Sequence, residues 1–117
     1  MTYYTIPTHI SGDTWEGIES IGLSANNTPV NLSGAYVEMG VKYTIASPSV
    51  LTLTTDNSGI LITEPVSSGI VSIPPVLVEI PPGDYKWYLK YVLPSGTTKT
   101  NWMGTWIISP NIPKEHY

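Results

Sequence analysis

The sequence predicts an all-β protein, an antiparallel β-sandwich of about seven or eight short strands, and three observations predict it. No window of ten or more residues places apolar side chains at i, i+3, i+4 and i+7 without an internal Gly or Pro, which excludes an amphipathic helix. Several segments alternate apolar and polar residues, the period of a strand with one buried face. Gly and Pro together make up 21 of 117 residues and lie between the apolar runs, so turns recur at roughly the 8–12-residue spacing of a sandwich.

The elements follow in chain order. Residues 1–10 are Pro-interrupted, with Ile6 as a lone apolar anchor, and read as an N-terminal arm that either lies on a neighbour or frays. Residues 14–23 form a strand in which Ile18 is out of phase with Trp15, Ile21 and Leu23, so a bulge is expected near Gly17. Residues 35–43 alternate cleanly, turning Ala35, Val37, Met39, Val41 and Tyr43 inward. Short runs at 50–54, 60–63, 70–73 and 76–80 are brief strands separated by Asp56-Asn57-Ser58-Gly59, residues 65–69 and Pro74-Pro75. Residues 84–93 give the clearest strand, with Tyr85, Trp87, Leu89, Tyr91 and Leu93 on the buried side. Pro94-Ser95-Gly96-Thr97 then reverses the chain, Gly96 being free to take a positive φ. The return strand, 98–108, puts Trp102, Gly104, Trp106 and Ile108 inward and Lys99, Asn101, Met103, Thr105 and Ile107 outward. The sandwich therefore spans 11–109, and a Pro-interrupted tail with Ile112 and Tyr117 occupies 110–117.

Composition narrows the function. Hydrophobic residues at 41% supply a core, and charged residues at 12% are about half the usual share. The surface is neutral and hydroxyl-rich, with 26 Ser and Thr. Cysteine is absent, which removes disulfides, thiolate metal sites and thiol nucleophiles. The first residues have neither a basic nor an apolar leader segment, and no apolar run approaches a membrane span, so a soluble protein made in a cytoplasm is expected. Five Lys, no Arg and a pI near 4.9 make nucleic acid an unsuitable partner. The triplets Asn26-Asn27-Thr28 and Asn31-Leu32-Ser33 read as turns.

Reactive groups are sparse. His9 and His116 stand near opposite ends without a partner at metal-ligand spacing and read as surface histidines. Glu16 and Glu19 fall on opposite faces of a regular strand, which defeats a carboxylate pair and leaves a solvated acidic edge with Asp13. Asp56-Asn57-Ser58-Gly59 lacks the closing Glu of a calcium loop and reads as an Asx turn. No catalytic residue, metal or cofactor is expected. The aromatic set, four Trp and eight Tyr without Phe, suits either sugar stacking or protein contact. Trp87, Trp102 and Trp106 are in phase with the core, leaving Trp15 as the ring the pattern does not assign.

Charge is polarised along the chain. Residues 1–82 hold seven acids and one Lys, and residues 83–117 hold two acids and four Lys. If strands 35–43, 84–93 and 98–108 share a sheet, its outward face gathers Tyr36, Lys42, Lys86, Tyr88, Lys90, Lys99, Asn101 and Met103. That basic, aromatic patch is the candidate partner-binding face, and the competing reading is an ordinary solvated sheet surface.

The order of Gly12-Asp13-Thr14-Trp15-Glu16-Gly17, Leu32-Ser33-Gly34-Ala35, Gly59-Ile60-Leu61-Ile62-Thr63, Pro81-Pro82-Gly83-Asp84-Tyr85 and Gly104-Thr105-Trp106-Ile107-Ile108 resembles small tailed-bacteriophage and prophage virion proteins. These carry an immunoglobulin-like sandwich and occur at baseplates and at attachment points of receptor-binding proteins. The resemblance covers residues 11–109. Lys42 stands where such proteins tend to have a basic residue late in the strand after the Leu-x-Gly turn, while the lack of Arg is a departure. The resemblance implies a non-enzymatic structural or adaptor protein of a virion, made in the host bacterial cytoplasm, with other virion proteins and copies of itself as partners. A carbohydrate-binding module contacting a host surface glycan is the alternative.

Overall fold

The computed structural model describes residues 2–44 and 46–110, and these form an all-β protein. Its strands in chain order are β1 (Thr2–Tyr3), β2 (Ile6–Ile10), β3 (Thr14–Trp15), β4 (Ile18–Gly22), β5 (Ser24–Ala25), β6 (Thr28–Pro29), β7 (Tyr36–Lys42), β8 (Ser49–Thr54), β9 (Leu61–Ile62), β10 (Ile70–Ile73), β11 (Val76–Leu77), β12 (Gly83–Val92) and β13 (Thr98–Ser109). One 3-10 turn, Val66–Ser68, is the helical content of the described residues. The expected strands are present, broken into shorter pieces at the turn residues.

Two layers enclose the core. The larger is a six-stranded sheet in which β13, β12, β7 and β8 run antiparallel to their neighbours, and β1 and then β2 pair in parallel along the outer side of β13. The smaller combines β4-β10-β9 with the β3-β11 pair. These two units continue one another, because both chains bend at the same level: Ile18 pairs with Ile73, Trp15 pairs with Val76, and between them lie Glu16-Gly17 on one strand and Pro74-Pro75 on the other. Gly17 has φ +75°, and a Cβ there would collide with the Ile73 carbonyl, so the bulge expected near Gly17 is a full break in the strand. A β5-β6 hairpin turns through Asn26 and Asn27, both with positive φ, the requirement of a type I′ turn.

Alternation on β7 and β12 buries Val37, Met39, Val41, Tyr85, Trp87, Leu89 and Tyr91, which meet Trp15, Ile21, Val71 and Ile73 from the smaller layer. Trp15, unassigned by the pattern, is core: its ring lies 4.7 Å from that of Trp106. Trp87 and Trp106 are fully enclosed, whereas Trp102 is half-buried at the rim and donates its indole N–H to the Gly22 carbonyl at 2.9 Å. Tyr43, expected inward, is 60% exposed, because β7 ends at Lys42 and the alternation ends with it.

The described part of the expected 1–10 arm, residues 2–10, is not separate from the sandwich. Ile6 is buried, and the Trp87 and Trp106 indoles donate to the carbonyls of Tyr4 (2.9 Å) and Pro7 (3.2 Å). His9 is likewise not a surface histidine. It is 8% exposed, its Nε2 is 3.0 Å from the Asp13 carbonyl, and its ring lies 6.0 Å from Trp106. The tail anchors Ile112 and Tyr117, and His116, lie outside the described residues.

Gly104 sets how closely this N-terminal strand approaches: a Cβ there would drive into the Tyr4 carbonyl, which is backbone and cannot swing away. Gly104→Ala is therefore expected to cost about 3 kcal/mol and to unseat β1. Urea unfolding, together with amide exchange that loses protection first at Tyr4 and Ile6, checks this. Ile6→Ala is expected to cost about 2–5 kcal/mol by leaving a cavity.

Candidate functional site

The outward face of the six-stranded sheet is ordered by strand register. One row across it reads Thr105, Lys86, Lys42 and Ser49; the next Met103, Tyr88, Gly40 and Thr52; the third Thr100, Lys90, Glu38 and Thr54. Tyr36 follows beside Val92. Alternation on β7 and β12 thus brings Tyr36, Lys42, Lys86, Tyr88, Lys90 and Met103 together. Lys99 and Asn101 are not on this face. A bulge between Leu89 and Lys90 on β12 lets Trp102 pair with Leu89 while Thr100 pairs with Lys90, which inserts one residue on β13. The phase reverses there: Lys99 stands opposite the inward-facing Tyr91. Asn101 reaches across to β5, where its amide donates to the Ser24 carbonyl at 2.8 Å and its oxygen accepts from the Ser24 N–H. Thr100 takes the place expected for them.

Glu38, Gly40 and Thr100 complete the face and were not singled out by the sequence pattern. Glu38 is its hub. One carboxylate oxygen accepts from the Tyr36 hydroxyl at 2.9 Å, the other accepts a short bond from the Tyr88 hydroxyl, and Lys90 Nζ stands 3.7 Å away. Gly40 is the floor. The Tyr88 ring occupies the volume that any Cβ at position 40 would fill, so glycine alone allows the ring to lie down across the strand. Lys42 and Lys90 place their ammonium groups 5.5 and 5.8 Å from the Tyr88 ring centre, within cation–π range. Tyr36 with Glu38 at i, i+2, and a Gly inside the strand facing Tyr88, were the available signals.

Electrostatics follow from this geometry. Burial pushes the Glu38 carboxyl up, but the two tyrosine hydroxyls and Lys90 outweigh it and hold its pKa below the ordinary carboxylate value. Burial, then the hydrogen bond to Glu38, raises the Tyr88 hydroxyl, and the same two causes raise Tyr36. Lys86 and Lys42 are directly opposed, a like-charge cross-strand pair with no carboxylate beside it in the row. A shallow concavity of about 290 Å³ opens here, lined by Lys42, Lys86, Tyr88, Lys90, Thr100 and Met103.

The acidic residues of the smaller layer also differ from expectation. The break at Gly17 takes Glu16 and Glu19 out of strand alternation, and both border one groove of about 460 Å³ with Ser72, Pro74 and Pro75. Asn57 forms an Asx turn as read, its side-chain oxygen accepting from the Thr54 and Gly59 N–H groups at 2.9 Å each. Among the described residues no group of three His, Cys, Asp or Glu is placed to hold a metal ion, and no helix is long and apolar enough to cross a membrane.

No protein-family model matches the chain, and no curated protein matches it.

The Glu38 cluster makes stability depend on pH in a defined direction. A carboxyl whose pKa is depressed on folding adds stability above its unfolded pKa and loses it as pH falls through the folded one. Wild-type protein is expected to lose stability from about pH 5 downward, and Glu38→Gln to show a shallower loss over the same interval, read from urea midpoints at each pH. Tyr88→Phe, which deprives the carboxylate of a donor, is expected to cost about 1–2 kcal/mol at neutral pH.

Proposed function

We propose that the chain is a non-enzymatic structural or adaptor module of a bacteriophage particle, in the tail or baseplate, built on an immunoglobulin-like sandwich and acting through the outward face of its six-stranded sheet. The observation that carries the reading is the fixed Tyr88 platform. Its ring is seated on Gly40, tied to Glu38 and flanked by Lys42 and Lys90, and among the described residues no strand or loop is laid over the concavity of this face. A rigid amphipathic ring among lysines and a methionine has the composition of a protein-contact anchor, and holding it still before contact lowers the entropic cost of docking.

Topology supports the immunoglobulin-like part. The order β13-β12-β7-β8 against β4-β10-β9 resembles the way such sandwiches arrange their two sheets. Tyr85, near the start of β12, donates its hydroxyl to the Pro81 carbonyl at 2.6 Å, the corner that marks the penultimate strand of that fold. The virion assignment rests on the sequence resemblance across residues 11–109. For the carbohydrate alternative the usual platform is a row of solvent-facing indoles; here Trp15, Trp87 and Trp106 are enclosed and the Trp102 N–H is engaged by Gly22.

Mass spectrometry of purified particles is expected to detect the chain. Replacing Tyr88 and Lys90 together with Ala is expected to reduce incorporation about 30-fold at unchanged circular dichroism, the effect of losing one interface anchor. Wild-type incorporation by that variant would discard the face, and particles without the chain would discard the virion role.

A further inference from the structure

The partner that the outward face fits best is a second copy of the same chain, docked head to tail. This inference rests on the partner-binding reading above and names its occupant. Lys42 and Lys86 oppose each other across β7 and β12, with Lys90 two rows away beyond Tyr88. Glu38 stands among them with its oxygens engaged by Tyr36, Tyr88 and Lys90, and Asp84 lies on the same face two residues before Lys86. Three lysines against these two acids leave the face a positive excess in a chain whose net charge is −4, and among the described residues neither Lys42 nor Lys86 forms a salt bridge. A symmetric dimer through this face would set lysines against lysines, which like-charge juxtaposition disfavours by several kcal/mol. Its complement is on the other layer. The Gly17 break turns Glu16 and Glu19 into one groove, walled by Pro74 and Pro75 and shared with no lysine.

We propose that the Lys42–Lys86–Tyr88 face of one copy docks on the Glu16–Glu19 groove of the next. The two patches lie on different layers of the sandwich, so the contact is heterologous, and a bound pair leaves one face and one groove free. Such a contact propagates into a ring when the rotation closes and into a filament when it does not. An anion beside the Lys42–Lys86 pair also relieves a repulsion that the isolated chain retains.

Sedimentation velocity on the full-length protein, up to about 1 mM, tests the proposal. Wild type is expected to form dimers and larger species that dissociate as salt is raised past about 0.15 M, where screening reaches about 8 Å. Lys42→Glu with Lys86→Glu is expected to weaken association about 100-fold or more, and so is Glu16→Lys with Glu19→Lys. The first pair substitutes one like-charge cross-strand pair for another, so its fold is preserved to the extent the wild type's is. The neutral variants Lys42→Gln with Lys86→Gln and Glu16→Gln with Glu19→Gln give the same loss more mildly. An equimolar mixture of the two charge-reversed proteins is expected to associate again, since each carries the complement of the other. A monomeric wild type, association indifferent to either reversal, or a mixture that stays monomeric overturns the proposal. If the wild type is monomeric while Tyr88→Ala with Lys90→Ala still blocks incorporation, self-docking fails and the partner-binding face stands.

Discussion

The indole N–H groups of the core place the constraint on which the remaining architecture depends. Enclosing an indole removes a large apolar surface from water, but leaves a donor that costs about 1–3 kcal/mol if it is buried unpaired. The two enclosed tryptophans of β12 and β13 meet this with a backbone carbonyl from a distant segment, Trp87 with Tyr4 and Trp106 with Pro7, and the half-buried Trp102 makes the same kind of bond to Gly22. These bonds pin the N-terminal strands and the smaller layer to the hairpin that carries the rings. The missing Cβ at Gly104 lets the Tyr4 carbonyl come close enough to serve. Where residues 2–10 run is thus dictated by indoles 83 and 99 positions away from the carbonyls they bind.

The same hairpin explains the rigidity of the face on its reverse side. With Tyr85, Trp87, Leu89 and Tyr91 locked inward, Lys86, Tyr88 and Lys90 have no choice but to project outward in register with β7. Glu38 then becomes more than a surface acid: it fixes the Tyr88 ring direction and restrains Lys90, while among the described residues Lys42 and Lys86 form no salt bridge. Core and face are two sides of one alternation. A change that shifts the pairing by a single residue exchanges them.

That alternation was legible where strand and pattern share a period. On β7 and β12 every second residue is apolar and long, so the register of both strands and six of the eight expected face residues could be read from the chain. It failed where side chains carried no contrast. Lys99, Thr100 and Asn101 are all polar, so a one-residue bulge among them leaves no trace in the sequence, and two residues were assigned to the wrong side. The segment 1–10 misled for another reason: Pro7 and the sparse apolar pattern around Ile6 hide a strand whose partners include indoles, and that pairing is non-local. Glu16 and Glu19 were placed on opposite faces because the expected bulge was treated as leaving the alternation intact, whereas Gly17 ends it.

The division of charge between the layers has no origin in the stability of the fold. Turning Lys42 and Lys86 toward each other weakens the sheet, and a Ser or Thr at either position would suit a face already rich in Thr52, Thr100 and Thr105. Glu16 and Glu19 similarly gain nothing from sharing a groove walled by prolines. Exposed pairs contribute little to folding even when opposite in sign, so a protein with 12% charged residues has small need of them for stability. On the proposed head-to-tail contact, their placement follows from what they would meet on a second copy. Concentrating positive charge around a fixed aromatic ring on one layer, and negative charge in a rigid notch on the other, sets orientation and partner choice at a contact between copies. On that proposal, the like-charge pair that weakens the isolated sheet is relieved when the next copy's carboxylates stand against it.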